Sequence, residues 1–352
     1  MSEMKRLCYI SRNYRGTGSA GNKAKTDNED TLAAADAQNL GLRRTLYRNK
    51  VVTFFLDLIG VLKYVCCVRK NDVILLQYPV KKYFAFICNI AHLRKARTIA
   101  LIHDLGSFRR KKLTVRKEIA RLMHADYVIA SNGVMRQWLI AQGYTHPVGA
   151  LGLFDYRSTA NNTHTLPSPH PIRIVYAGGL AMRKNAFLLK MAQHPRPYEL
   201  HVFGNSDGLP GLCDCEQVKL HPFMAADDFI REIDAHYGLV WDGDSTDSCT
   251  GDFGEYLRYN SPHKASFYLR AGLPIIIWEE AAIAQVVIQE GAGFSIKSLN
   301  DLDDKLNSIT PEQYEEMRSN AQRVAQRLNS GCYLLDAVNA AVTELQQHQD
   351  KL

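Results

Sequence analysis

The chain of 352 residues has no long apolar run free of charge. Its most hydrophobic window, residues 51–68, is as long as a membrane span but holds Asp57 and Lys63 and runs into Arg69 and Lys70. Charges near the middle of a span cost about 2.5–3.5 kcal/mol each, so this window reads as a buried or interfacial helix. The eight cysteines (Cys8, Cys66, Cys67, Cys88, Cys213, Cys215, Cys249 and Cys332) follow no CxxC or Cys/His ligand spacing. No metal site is expected from them, and several sit in apolar runs as small hydrophobes, which fits a reducing cytoplasm. The first residues, MSEMKRLCYISRNYRG, lack the apolar stretch and cleavage site of a signal peptide. Helix-turn-helix, RNP, KH and zinc patterns are also missing, so nucleic acid is not an expected partner.

Acidic residues are scarce in one half only. Residues 1–170 carry 27 Lys+Arg against 11 Asp+Glu, a net +16, while the remainder is −9, and the overall +7 conceals the split. Such asymmetry bears on partners rather than on fold. With 46% hydrophobic and 22% charged residues, the chain can fill two cores.

Short apolar, β-branched runs alternate with helix-period segments, as in βα units around parallel sheets, so the fold class is α/β. The expected strands of the first half are residues 7–11, 45–48, 73–78, 98–103, 127–130 and 148–153. Residues 156–171 lose periodicity and are rich in Ser, Thr, Asn and Pro, which marks a linker. The alternation then restarts, with strands at 174–177, 200–203, 218–220, 239–241, 275–278 and 294–296. A helical segment follows from Pro311 to Gln347, broken near Asn329, Ser330 and Gly331. The expected organisation is a domain over 1–155, a linker over 156–171, a second domain over 172–310 and C-terminal helices over 311–352. Ligands bind off the carboxyl ends of parallel strands, which puts the expected site in a cleft between two facing domains.

Several motifs stand at such strand ends. Gly16 to Gly21, followed by a helix-capable stretch over 23–40, reads as a substrate-contacting loop, a structural turn or a dinucleotide fingerprint. The strand ending at His103 continues into Asp104, and either side chain could take a proton from an alcohol. Arg109, Arg110, Lys111 and Lys112, with Arg116, Lys117 and Arg121, form a basic block on an expected helix beside aromatic residues. That composition suits an anionic membrane surface or a solvated face. Gly178 and Gly179 precede Arg183 and Lys184, where small residues admit a ligand and cations can pair with a pyrophosphate. Asp242-Gly-Asp244-Ser-Thr246 has the spelling of a phosphatase nucleophile loop, in which an aspartate attacks phosphorus with Mg²⁺ between carboxylates. Asn260-Ser261-Pro262 makes a turn with Pro early in a helix. His263 and Lys264 then fall in the first helical turn, which attracts phosphate through its free N–H groups and dipole.

The stretch GDFGEYLRYNSPHKASFYLRAGLPIIIWEEAAIA, with IHDLGSFR and YAGGLAMRK, resembles bacterial galactofuranosyltransferases and the related glucosyltransferase 3-like family. The resemblance implies a GT-B fold: two Rossmann-like parallel-sheet domains facing a cleft, with a long C-terminal helical segment. It implies UDP held by the second domain, with Arg183 and Lys264 on the diphosphate, Lys184 among the donor-binding residues, and Asn260 and His263 shaping the pocket. Tyr256 or Tyr259 would line the sugar or ribose side, Phe223 would carry uracil, and the loop with Thr17 and Gly18 would close over the donor. An inverting reaction would use Asp104 as base, with His103 second; a retaining one needs no base. No metal and no cofactor beyond the UDP-sugar donor is expected, because cations and helix dipoles would neutralise the leaving group.

The function so implied is transfer of a hexosyl unit, galactofuranose first, otherwise glucose or galactose, to a sugar hydroxyl of a lipid-linked O-antigen or capsule precursor. The enzyme would be cytoplasmic and peripheral to the inner membrane face, docking through Arg109–Lys112, with homo-oligomerisation left open. The alternatives are a glucosyltransferase that extends protein O-glycans, a Mg-dependent phosphatase using Asp242, and a non-catalytic basic membrane adaptor.

Overall fold

The computed structural model describes residues 6–14, 16, 20–80, 82–108, 113–164 and 170–349. Thr17, Gly18 and the four basic residues Arg109, Arg110, Lys111 and Lys112 lie outside that set. The chain divides into two units, residues 1–155 with 331–352, and residues 156–330.

The first unit runs β1 (Leu7–Tyr9), α1 (Ala20–Ala34), β2 (Gln38–Asn39), α2 (Lys50–Cys67), β3 (Val73–Tyr78), α3 (Phe84–Leu93), β4 (Arg97–Ile102), α4 (Val115–Leu122), β5 (Tyr127–Ala130), α5 (Gly133–Ala141) and β6 (Val148–Ala150). The strands form one parallel sheet in the order β2-β1-β3-β4-β5-β6. Side chains alternate across it: Ile74, Leu76, Tyr78, Ala100, Ile102, Val128 and Ala130 share one buried cluster with Tyr64, Ile87, Cys88 and Leu139 from the flanking helices.

One strand differs from expectation. Residues 45–48 form no strand; Thr45 makes only an isolated bridge to Asn13, and the edge strand is β2. The Asn13 side chain takes the place of a strand partner there: its Oδ1 accepts from Thr45 Oγ1 and Tyr47 N, and its Nδ2 donates to Tyr47 O.

The second unit runs β7 (Ile172–Ala177), α6 (Met182–Asn185), α7 (Phe187–Met191), β8 (Tyr198–Phe203), β9 (Val218–His221), α8 (Ala226–Glu232), β10 (Tyr237–Val240), α9 (Gly251–Gly254), α10 (His263–Arg270), β11 (Ile275–Trp278), α11 (Ala284–Gln289), β12 (Gly293–Ile296), α12 (Leu302–Asn307) and α13 (Pro311–Ser330). Its parallel sheet has the order β12-β11-β10-β7-β8-β9. Counted from β7 this is the doubly wound order 3-2-1-4-5-6, whose direction reverses between β7 and β10.

The segment after Asp155 is not a free linker. Residues 156–164 group with the second unit, where the buried Arg270 donates through Nη2 to Ser158 O, Ala160 O and Asn161 Oδ1. The C-terminal helices also part company. α13 packs against α10, whereas α14 (Cys332–Gln349) returns to β5, β6 and α1 of the first unit. Leu334, Val338, Ala341 and Leu345 give α14 a buried stripe at helical spacing. Gly331 breaks the two helices with φ +80°, and a Cβ there would stand 2.2 Å from Thr31 Cγ2.

Candidate active site

The reversal point of the second sheet collects charge from four separate segments. Tyr176 lies near the carboxyl end of β7, Asp242 just beyond β10, Lys184 in α6 and Lys264 in the first turn of α10. Tyr176 Oη donates to Asp242 Oδ1 at 2.9 Å, and Asn185 Nδ2 donates to Tyr176 Oη. Asn185 Oδ1 in turn accepts from Ala181 N at 2.9 Å, which ties the β7–α6 turn to the same chain of bonds. Two ammonium groups approach that carboxylate oxygen, Lys264 Nζ at 3.5 Å and Lys184 Nζ at 3.8 Å. Lys264 Nζ also stands 3.5 Å from the centre of the Tyr176 ring. Arg183 stacks over Phe253 at 5.0 Å.

One carboxylate cannot neutralise two ammonium ions and a guanidinium, so the cluster keeps an excess of positive charge. Burial pushes the Lys264 ammonium down to about 7; Lys184 acts in the same direction, and Asp242 opposes both. Burial likewise drives the Tyr176 and Tyr268 phenols up, so both are neutral at physiological pH. Gly178 has φ +143°, and a Cβ built there or at Gly179 meets nothing within 4 Å. The turn beside the cations is therefore open. A basic, partly desolvated pocket at a sheet reversal point has the chemistry to hold an anionic group with several oxygens.

The first unit carries its own polar cluster. Helix α1 buries Lys25, Thr26, Asp27, Asn28, Glu29 and Thr31. Gln77, on β3, donates from Nε2 to Lys25 O at 3.0 Å, which leaves Oε1 as the acceptor. That oxygen accepts from Asn28 Nδ2 at 3.1 Å and lies 3.0 Å from His103 Nε2. Asn28 Nδ2 also stands 3.5 Å from the same ring nitrogen, so Gln77 and Asn28 together hold the His103 ring in place. Phe154 stacks on the imidazole at 5.0 Å. Asp104 follows at the carboxyl end of β4, partly exposed.

Two family models describe this chain. Residues 7–153 match the N-terminal domain of the glucosyltransferase 3-like family and residues 174–341 its C-terminal domain. The chain belongs to the glucosyltransferase 3-like family. It is 27% identical over 331 residues to beta-1,6-galactofuranosyltransferase WbbI of Escherichia coli (strain K12), covering 93% of this chain and 95% of that protein. Glucosyltransferase 3 of Streptococcus gordonii is 24% identical over 283 residues, covering 76% and 79%. Among solved structures, the apo form of the lipopolysaccharide outer core galactosyltransferase WaaB superposes with a TM-score of 0.58 at 14% identity, covering 96% of this chain and 99% of that one. The fold is GT-B, and this family member is a glycosyltransferase.

Against that fold the named residues sort clearly. Lys184 and Lys264 meet at one carboxylate, and Arg183 is their neighbour in α6. His263 shares the first turn of α10 and packs on Tyr156 at 4.9 Å. Pro262 is the cap residue rather than a helical one, so α10 begins at His263. Asn260 Oδ1 is buried and has no hydrogen-bond partner among the described residues. Tyr256 is buried at 4% exposure while Tyr259 is partly exposed, so Tyr259 has the surface to offer a ligand. Phe223, after β9, is 72% exposed.

Sequence reasoning missed Tyr176 and Asn185, whose roles depend on the β7–β10 pairing. It did single out Asp242, as a phosphatase nucleophile. The structure engages Asp242 with Tyr176 and two lysines, while Asp244 bonds Thr250 Oγ1 instead of converging with it.

Proposed function

We propose that the chain transfers a hexosyl group from a UDP-sugar to a sugar hydroxyl of a lipid-linked surface-glycan precursor. Galactofuranose is the first donor sugar, on the likeness to WbbI across 93% of the chain. The observation that carries the reading is the pair of ammonium groups sharing Asp242 in an open turn. A diphosphate entering there takes over the cations that one carboxylate leaves unsatisfied.

Lys264, Lys184 and Arg183 then bear the charge that grows on the departing diphosphate, the role a divalent cation plays in other transferases. Phe223 stacks on uracil and Asn260 Oδ1 accepts from a donor hydroxyl, which supplies the partner that oxygen lacks. In the inverting reaction the acceptor oxygen bonds to the anomeric carbon as the carbon–diphosphate bond breaks, and the hydroxyl proton passes to a base. Asp104 is that base, and His103 beside it is the second candidate. The enzyme works at the inner face of the cell membrane, where such acceptors are anchored.

Calorimetric titration with UDP, UDP-glucose and UDP-galactofuranose, with and without EDTA, tests the reading. UDP binding should be independent of metal, and Lys264→Ala should abolish turnover and weaken UDP. Asp104→Asn should reduce transfer and spare UDP. Mg²⁺-dependent phosphate release with indifference to UDP would instead support the phosphatase, and vesicle binding with no nucleotide response the adaptor. A second reading, glucosyl transfer to a protein-borne glycan, rests on the likeness to glucosyltransferase 3 and predicts a preference for UDP-glucose.

A further inference from the structure

Helix α2 is mostly apolar, with Lys50, Asp57 and Lys63 as its charged residues, yet only one side is enclosed. Thr53, Gly60, Val61 and Tyr64 face inward and the helix packs against α3. On the outer side, Val51, Phe55, Ile59 and Leu62 fall at spacings of four, four and three, which makes one continuous stripe. They are exposed at 64%, 54%, 49% and 55%. Phe54, 40% exposed beside the stripe, carries Lys82 Nζ over its ring at 4.7 Å. An open stripe of large apolar side chains is a docking surface rather than ordinary scatter.

The surroundings of the stripe select its occupant. Between Gly41 and Lys70 there are seven basic residues and one acidic residue, Asp57. Lys50 and Lys63 on the helix and Arg48 just before it are all exposed. We propose that α2 lies flat on an anionic lipid surface, with the stripe among the acyl chains and the lysines and arginines at the headgroups. The charge disfavours a second copy of this chain, because a two-fold contact would set one basic rim against another. Among the described residues no helix is long and apolar enough to cross a membrane, so on a bilayer α2 lies in the interface rather than across it. This assigns docking to α2. It extends the proposed lipid-linked acceptor and can fail independently of it.

Co-sedimentation with vesicles tests the inference. The full chain should bind phosphatidylglycerol–phosphatidylethanolamine vesicles at least about tenfold more tightly than phosphatidylcholine vesicles. The variant Val51→Ser, Phe55→Ser, Leu62→Ser should lose at least about tenfold in that binding, with its melting temperature and UDP affinity unchanged. Phe55→Trp provides a gain of signal that does not depend on losing function: its emission should be quenched by brominated acyl chains. Undiminished binding by the triple variant, or an unquenched Trp on bound vesicles, overturns the proposal. So does a lipid-free dimer that the triple variant dissociates while vesicle binding persists. Loss of UDP binding in the wild type would refute the donor site and leave the vesicle result standing.

Discussion

Raising the pH from 6.5 to 8.5 should weaken the binding of a UDP-hexose by about 25-fold, or ~2 kcal/mol. Lys264 is largely withdrawn from water, with 12% of its side chain exposed, and burial brings its ammonium down to about 7. With that value, roughly three-quarters of the ligand-free protein is protonated at Lys264 at the lower pH and about one-thirtieth at the higher. A diphosphate needs the ammonium, so binding at the higher pH must first take up a proton. A UDP-hexose has no group of its own titrating in this interval, which makes the protein the source of the effect. Calorimetry in buffers of different ionisation enthalpy measures both the affinity and the proton, and uptake should approach one per ligand at pH 8.5. Lys264→Met should bind weakly at every pH with no uptake. Affinity constant within twofold across the interval, or binding without proton uptake at pH 8.5, refutes the argument. The same shift has a stability side. Folding brings Lys264 down from 10.5, so between 7 and 10.5 the unfolded chain holds more protons and the stability of the ligand-free protein rises with pH. Lys264→Met should remove that slope and leave the protein more stable at pH 7.

Three more outcomes follow from particular contacts. Asp155 accepts from Leu334 N at 2.7 Å and Tyr333 N at 3.3 Å at the start of α14, and burial raises its carboxyl to about 7. Its folded value lies above its unfolded one, so the associated stability is present in acid and is lost as pH rises through about 7. Asp155→Asn, which does not titrate, should remove this pH dependence; parallel melting curves of wild type and variant from pH 5 to 8 would exclude it. Gln77→Leu should remove one hydrogen-bond partner of the His103 ring and lower kcat by roughly tenfold with the UDP affinity unchanged. Wild-type kcat would separate His103 from catalysis. Arg270→Met, which removes the donors to Ser158 O and Ala160 O, should cost about 2–4 kcal/mol by urea unfolding, against no change if those bonds are incidental.

Most of the architecture was legible because a buried parallel strand is an apolar run of six residues or so, and that is a local property. Val73–Tyr78, Tyr127–Ala130 and Ile275–Trp278 are such runs, and each forms its strand with the expected bounds. The edge strand β2 is Gln38–Asn39, two polar residues with no apolar signature, whereas the Thr45 segment has the signature and is occupied by the Asn13 side chain. Lys184 and Lys264 were readable too, since cations after a Gly-Gly turn and in a first helical turn suit phosphate on local grounds alone. Asp242 was visible but given another chemistry, because its spelling did not say which residues would face it.

The sequence by itself determined that there are two α/β units, where most strands run, and which cations could serve a phosphate, all consequences of hydrophobic period and turn chemistry within a few residues. The tertiary structure alone decided what those cations meet. Tyr176, Lys184, Asp242 and Lys264 converge only because the sheet order sets β7 beside β10. It also decided that α14 returns to the first unit, and that α2, a mostly apolar helix, leaves the stripe of Val51, Phe55, Ile59 and Leu62 uncovered. Composition states how apolar a helix is; which side remains open depends on the neighbours that pack against it.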